Sequence, residues 1–285
     1  MKNFAIFINP AYPDLSSIFD LLNKLREEYH ITFYATPQQR DIIPEPIKIC
    51  DPDDKNLPRI DCILVFGGDG SILRAKDLAL KTKAPILGIN LGYLGFLSET
   101  SLTEIKASIE NLIGKKYRLL SRMLLNCHLR RGGAIIYTGL ALNDVVVYKA
   151  ETPRLIHVRI FNHGRFVFDT RCDGVIASTP TGSTAYSLSA GGPILSPEMQ
   201  AIVLCPLNPH LLSMRPMVFP ARDQIMLRVH GLCQPAWLQI DGVNTIPIEE
   251  NDEVMISAAK QSVSFIKLSN RTFYQILRKK LHLGK

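Results

Sequence analysis

What the sequence lacks narrows its chemistry first. Six cysteines, Cys50, Cys62, Cys127, Cys172, Cys205 and Cys233, are scattered without a CxxC pair, which argues against a zinc site and against a disulfide framework. The seven histidines show neither HxxxH nor HxH spacing, so no transition-metal site is expected and no metal has confident protein ligands. No apolar stretch approaches the roughly 18 residues that a membrane helix needs. The start, MKNFAIFINPAYPDL, is too short in apolar length for a signal peptide and is followed by no small-residue cleavage site. A cytoplasmic protein with no membrane partner is the expectation. Internal repeats and low-complexity segments are absent as well.

What remains is a globular composition. The chain has 285 residues, 46% hydrophobic and 21% charged, enough for one large domain or two ordinary ones. The net charge of +7 suits an anionic partner such as a nucleotide. Much of the excess lies in the terminal "RTFYQILRKKLHLGK", which reads as the solvated face of a helix. No basic run interleaved with aromatics lies elsewhere, so no nucleic-acid partner is expected.

Along residues 1–115 the texture alternates. "FAIFI" (4–8), "ITFYA" (31–35), "CILVF" (62–66) and "PILGIN" (85–90) read as strands. Between them, "DLSSIFDLLNKLREEY" has apolar residues at 15, 18, 19, 22 and 25, the helical period, with Asp14 placed as N-cap. A second helix is expected from Ser71 to about Lys81. A third is expected over 101–113, opened by a capping box of Ser101 and Glu104. Residues 36–60 read mostly as loop. Strand–helix alternation with short links implies a doubly wound parallel sheet. Residues 116–265 change to short β-branched or alternating runs separated by Gly, Asn and Pro turns, which reads as a mostly β domain. Residues 266–285 return to a helical pattern and are expected to pack back on the first domain. The active site is expected in the cleft between the two.

The stretch "VFGGDGSILRAKDLA" (65–79) joins a buried strand to a helix through Gly67-Gly68-Asp69-Gly70. Glycines permit positive φ and close approach of phosphate oxygens, and the helix N-terminus favours their charge. The pattern is neither a Walker A loop nor GxGxxG. A carboxylate repels phosphate, so Asp69 needs a reason: a magnesium ion bridging phosphates, or a proton to accept from an attacking hydroxyl. An Asx-turn is the bland alternative. The turn resembles those of phosphofructokinases, diacylglycerol and sphingosine kinases, and NAD kinases, all of which phosphorylate a hydroxyl.

"DGVIASTPTGSTAYSLSAGGPILSP" (173–197) is the most specific segment. A strand runs into dense hydroxyls and glycines, which can bind ribose and phosphate. It lacks GxSxG, so a serine hydrolase is not supported. The segment resembles the TPTGSTAYSLSAGGPI signature of NAD kinases. "GINLGYLGFLSE" (88–99) and "ALNDVVV" (141–147) fall in the same order as in that family, and the resemblance runs from about residue 60 to 275.

The resemblance implies a kinase that transfers the γ-phosphoryl group of ATP, or of polyphosphate, to the 2′-hydroxyl of the adenosine ribose of NAD, giving NADP. It implies ATP as co-substrate, Mg²⁺ or Mn²⁺, and a homodimer or homotetramer. Asp69 would accept the hydroxyl proton, and is also the one possible metal ligand. Gly67, Gly68 and Gly70 would form the phosphate-binding turn, with Arg74 a turn further into the helix. Asn143 and Asp144 would hold the adenosine portion, and Arg154 would contact nucleotide. Arg171 and Asp173 precede the signature, with Asp173 toward the nicotinamide end. Thr184, Ala185, Tyr186, Ser187, Leu188 and Ser189 would line the adenosine pocket. Asp144 stands where many members have Glu, and Arg171 where Lys is frequent, which keeps charge but not geometry. Val243 follows Asp241-Gly242 where some relatives have Gln and is assigned no role. A lipid or sugar kinase sharing the turn, and a non-catalytic NAD(P)-binding regulator, are the competing readings.

Overall fold

A computed structural model describes the whole chain except residues 55–56, 93–94, 151–153, 232–234 and 283–285. The chain divides into two compact units, Met1–Ser121 with Val263–Lys285, and Arg122–Ser262.

The first unit is built from β1 (Asn3–Ile8), α1 (Leu15–Tyr29), β2 (Thr32–Ala35), β3 (Lys48–Ile49), β4 (Cys62–Phe66), α2 (Asp69–Thr82), β5 (Ile86–Asn90), β6 (Thr100–Ser101) and α3 (Ile105–Ile113). Every residue of β4 and most of β1 and β5 are buried, so both faces are covered, as a parallel sheet covered by helices requires. Helix α1 buries Ile18, Phe19, Leu22 and Leu25 along one stripe, and the Asp14 side chain accepts a hydrogen bond from the Ser17 N–H at 3.2 Å. The strands run in the order β3-β2-β1-β4-β5, all parallel. Strand order therefore reverses between β1 and β4, and in such sheets ligands bind beyond the carboxyl ends of the strands at that reversal. The Asn9 N–H donates to the Phe66 carbonyl at 3.0 Å, which places the exit of β1 beside the exit of β4 at Gly67.

Two helix boundaries differ from the sequence reading. Helix α2 begins on Asp69 and not Ser71, because Gly68 takes an extended N-cap conformation (φ −90°, ψ −173°) and frees the next residue to start the turn. The helix expected over 101–113 opens as a tight 3₁₀ turn, Leu102–Glu104, before α3. Its Ser101–Glu104 capping box forms as the sequence indicates. The 36–60 stretch contains a 3₁₀ turn at Pro37–Ile42. There the buried Gln39 amide donates to the Ile8 carbonyl at 2.6 Å and its carbonyl accepts from the Ile8 N–H at 3.2 Å, pinning the end of β1.

The second unit contains most of β7 (Arg118–Arg131), then β8 (Ala134–Ala141), β9 (Asp144–Lys149), β10 (Ile156–Asn162), β11 (Arg165–Cys172), β12 (Gly174–Ser178), the single turn α4 (Tyr186–Ser189), β13 (Ala201–Leu207), β14 (Met217–Pro220), β15 (Ile225–His230), β16 (Ala236–Ile240), β17 (Asn244–Ile248) and most of β18 (Glu253–Lys267). Helix α5 (Phe273–Leu281) follows in the first unit. One antiparallel sheet of the second unit has the order β14-β13-β12-β9-β16-β17. The other places β11, β10, β15 and β18 side by side and carries the β7–β8 hairpin. Alternate residues of both sheets, among them Val145, Val147, Val158, Ile160, Val175, Leu204, Leu227 and Leu238, meet in one core.

Among the described residues the cysteines are free thiols. Burial pushes Cys127 and Cys172 up to about 12, so they are unreactive packing groups. Cys233 lies outside the described residues. No helix among them is long and apolar enough to cross a membrane.

Candidate active site

In the first unit, the end of β4 delivers Gly67-Gly68-Asp69-Gly70 to the strand-order reversal. Of the three glycines only Gly67 has positive φ, at 156°. Gly68 and Gly70 are exposed, and among the described residues a side chain at either would meet nothing within 4 Å. Asp69 is half-buried at the first position of α2. Its Oδ2 accepts from the Phe96 N–H at 2.8 Å and its Oδ1 from the Leu97 N–H at 3.1 Å. Gly95 makes this approach possible, since a Cβ there would overlap the Asp69 carboxylate. The 88–99 stretch is thus the clamp on Asp69, apart from Tyr93 and Leu94, which lie outside the described residues. Among the described residues, the Asp69 oxygens accept from backbone amides 27 and 28 residues on and not from an Asx-turn, and Asp69 belongs to no cluster of three carboxylate, His or Cys ligands. Arg74 is exposed one turn along α2, with Nη2 3.4 Å from Ser71 Oγ.

In the second unit, the signature segment wraps the loop before β9. The Asn143 carbonyl accepts from the Thr179 N–H at 2.8 Å and from Ser178 Oγ at 3.2 Å. Thr179 Oγ1 donates to the Leu142 carbonyl at 2.6 Å and accepts from the Gly182 N–H at 3.0 Å. Gly182 lies so close over Asn143 that a Cβ would overlap the Asn143 backbone. From the opposite side, Asp241 accepts the N–H groups of Leu142 (2.9 Å), Asn143 (2.7 Å) and Asp144 (3.2 Å). The loop that presents Asn143 is therefore held by hydroxyls on one side and a carboxylate on the other.

Asp144 is buried at the start of β9, and burial together with the nearby Asp241 charge pushes its carboxyl up to about 7. Tyr186 is exposed on α4. Partial burial, Asp144 and Asp173 all push its phenol upward, which puts the three groups within electrostatic reach. Burial alone would raise the Asp173 carboxyl, but it ends below the usual range. Lys149 Nζ lies 2.7 Å from it and Asn208 Nδ2 donates to it at 2.8 Å. Ser187 is buried, while Thr184, Ala185 and Leu188 are half-buried and Ser189 is exposed. Arg154 and Arg171 are exposed, before β10 and near the end of β11 respectively.

Sequence reasoning missed Asp241, Phe96, Leu97, Lys149 and Asn208. Asp241 alone carries a local signal. It opens an Asp-Gly turn with φ 51°, which Asp tolerates. The others act through position, and their types are ordinary.

Among the described residues, those around Asp69 form no three-ligand metal grouping. The Asp69 oxygens are engaged by amides, and among the described residues the one grouping of three His, Cys, Asp or Glu ligands lies elsewhere, at His157, Asp169 and His230. A magnesium ion used here would arrive with the phosphates of a nucleotide.

A carboxylate clamped at a helix start, at the strand-order reversal of a parallel sheet, lies where such sheets bind ligands, and similarity to known proteins identifies the class as a phosphotransferase. Residues 37–117 match the family model described as the ATP-NAD kinase N-terminal domain, and residues 142–268 the one described as the ATP-NAD kinase C-terminal domain. The NAD kinase of Koribacter versatilis is 37% identical over 100% of this chain and 99% of its own length. That of Heliobacterium modesticaldum is 42% identical over 80% of this chain and 81% of its own. Among solved structures, yeast NADH kinase complexed with NADH has a TM-score of 0.88 at 26% identity, covering 100% of this chain and 88% of that one. An NAD kinase from Archaeoglobus fulgidus in complex with ATP shares the fold, at a TM-score of 0.74 and 22% identity, over 98% of each chain. The chain belongs to the NAD kinase family and is an NAD⁺ kinase, which removes the lipid-kinase, sugar-kinase and non-catalytic readings.

Proposed function

We propose that the enzyme uses ATP to phosphorylate the 2′-hydroxyl of the adenosine ribose of NAD, with Asp69 as proton acceptor. One observation carries this reading. Asp69 is fixed by the Phe96 and Leu97 amides between two exposed glycines whose missing side chains the fold itself does not require. Bare backbone that packing does not explain suits close approach of a ligand.

In the proposed reaction the 2′-oxygen loses its proton to an Asp69 oxygen and attacks the γ-phosphorus. The bond from that phosphorus to the β-phosphate oxygen breaks, and ADP leaves. The two amides on Asp69 hold its orientation, and the first-turn N–H groups of α2 face the developing phosphoryl charge. Arg74, on the same helix, supplies positive charge to the phosphates. When carried in on ATP, magnesium would supply further neutralisation of the charge on those phosphates.

Asn143, Asp144, Asp173, Tyr186 and the 184–189 turn bind NAD in this reading, with Asp144 and Tyr186 toward the adenosine. Arg154 and Arg171 meet the pyrophosphate or its surroundings as exposed cations. The loop clamped by Thr179, Gly182 and Asp241 arrives pre-shaped, so little binding energy goes into ordering it.

The test is incubation of the pure protein with NAD, ATP and Mg²⁺, the product being read by an NADP-specific dehydrogenase. NADP formation is expected. Its absence with ATP and also with polyphosphate would overturn the proposal. Asp69→Asn separates the role of the base: NAD binding by calorimetry stays close to wild type while turnover falls at least about a hundredfold.

A further inference from the structure

The outward face of the β11–β10–β15 strands carries a cluster that nucleotide chemistry does not use. Alternation along β10 buries Ile156, Val158 and Ile160, and turns His157 and Arg159 outward. Antiparallel register sets His157 opposite His230 of β15, and Arg159 opposite Asp169 of β11. His157 Nε2 is hydrogen-bonded to Asp169 Oδ1, and His230 Nε2 stands 3.6 Å from Asp169 Oδ2. The two imidazole centroids are 3.9 Å apart. One ligand atom from each of the three residues falls within 4.8 Å of the others.

We propose that His157, His230 and Asp169 form a binding site for a divalent transition ion of the zinc type, through the two Nε2 atoms and one carboxylate oxygen.

Two observations favour a cation over a purely hydrogen-bonded triad. Among the described residues, His230 Nε2 is buried without a hydrogen-bond partner, and 3.6 Å is too long for a bond to Asp169. Buried polar atoms without partners are rare enough to require a reason, and a metal ion bound through that nitrogen supplies one. Secondly, Arg159 Nε donates to Asp169 Oδ2 at 3.0 Å. Oδ1 meets His157 and Oδ2 lies toward His230, and the Arg159 bond orients the carboxylate as outer partners orient metal ligands. Two imidazoles and a carboxylate suit zinc, nickel or copper, and not magnesium, which prefers all-oxygen surroundings. The site therefore differs in kind from any magnesium carried by ATP. The Arg159 charge opposes the cation, which sets the affinity below that of a closed structural zinc centre. The side chains are 29%, 26% and 19% exposed for His157, Asp169 and His230, so the cluster is only partly shielded from solvent. Because the ligands come from three adjacent strands, the ion acts as a cross-strand staple, and its effect falls on stability before turnover.

The experiment uses untagged, full-length protein stripped by chelator and titrated with Co²⁺ and with Zn²⁺. Binding of about one equivalent per chain is expected, with visible d–d bands and no thiolate-to-cobalt charge transfer, and zinc should raise the melting temperature. His157→Gln and His230→Gln should each weaken binding at least about tenfold while leaving NAD turnover unchanged. Should those variants fail to fold, X-ray absorption at the zinc edge of the wild-type protein reads the ligands directly, and two imidazoles are expected. No bound equivalent in the wild type, a sulfur-rich shell, or binding that both variants leave intact would overturn the proposal.

Discussion

Two aspartates stand at the entrance to elements in the two units, and the surrounding backbone treats them differently. Asp69 opens a helix and receives the Phe96 and Leu97 amides on its own oxygens. Asp144 opens a strand, buried, and the amides of its loop go to Asp241 instead. Burial and the neighbouring Asp241 charge oppose ionisation of Asp144. The unit with the glycine turn thus fixes the orientation of its carboxylate by two backbone donors. The β unit raises a carboxyl to about 7, so that it holds a proton below that pH and can itself donate to a ligand oxygen.

The strongest way to break this comparison is Asp69→Asn. Turnover should fall at least about a hundredfold with NAD affinity retained, and near-normal turnover would remove Asp69 from the chemistry.

Next in size is the pH dependence of folding. The unfolded chain releases the Asp144 proton near 3.8 and the folded chain near 7. Between these values the folded state binds the extra proton, so stability falls as pH rises through the window. The ceiling is about 4 kcal/mol from the separation of the two values. Asp144→Asn cannot ionise, and denaturant melts at pH 4 and pH 8 should show its slope flattened relative to wild type. An unchanged slope would mean Asp144 ionises as an ordinary carboxylate.

Asp241→Asn tests the other member of the pair. Three amides would lose a charged acceptor, at a cost of about 2 kcal/mol, and the KM for NAD should rise as the Asn143 loop loosens. The window above should also narrow, because one cause of the Asp144 shift is gone. A stable variant with wild-type KM would show that the loop is held by Thr179 and Ser178 alone.

The smallest effect belongs to Lys149→Met. Its ion pair with Asp173 is partly exposed and contributes at most about 1 kcal/mol. That contribution is present at neutral pH and is lost as pH falls through the lowered Asp173 pKa, so the difference in melts between variant and wild type should shrink from pH 7 to pH 3. A difference that persists undiminished at pH 3 would mean that Lys149 acts through packing.

Much of the fold was readable along the chain. The buried runs at 62–66 and 86–90, the stripe of α1 and the Ser101–Glu104 box all depend on neighbours within a few residues, and they appear where periodicity and capping place them. The start of α2 at Asp69 was less legible, because Gly68 is equally able to end a strand or cap a helix. The small hydroxyl residues at 178–184 were visible as a motif. That they serve to grip the Leu142–Asn143 backbone from 35 to 37 residues away was not.

By itself the sequence determined the alternation of elements, the glycines that leave backbone bare at 68 and 70, and the long signature that marks an NAD kinase. These are set by local sterics, side-chain period and residue type. Tertiary structure alone decided that Asp69 receives amides 27 and 28 residues on, and that Asp241 receives those of a loop 97 to 99 residues before it. It also decided that His157, Asp169 and His230, whose spacing carries no metal pattern, share one face of a sheet. The physical reason is that strand register and backbone donors act through space: an N–H is the same in every residue, and only the fold says which acid it will meet.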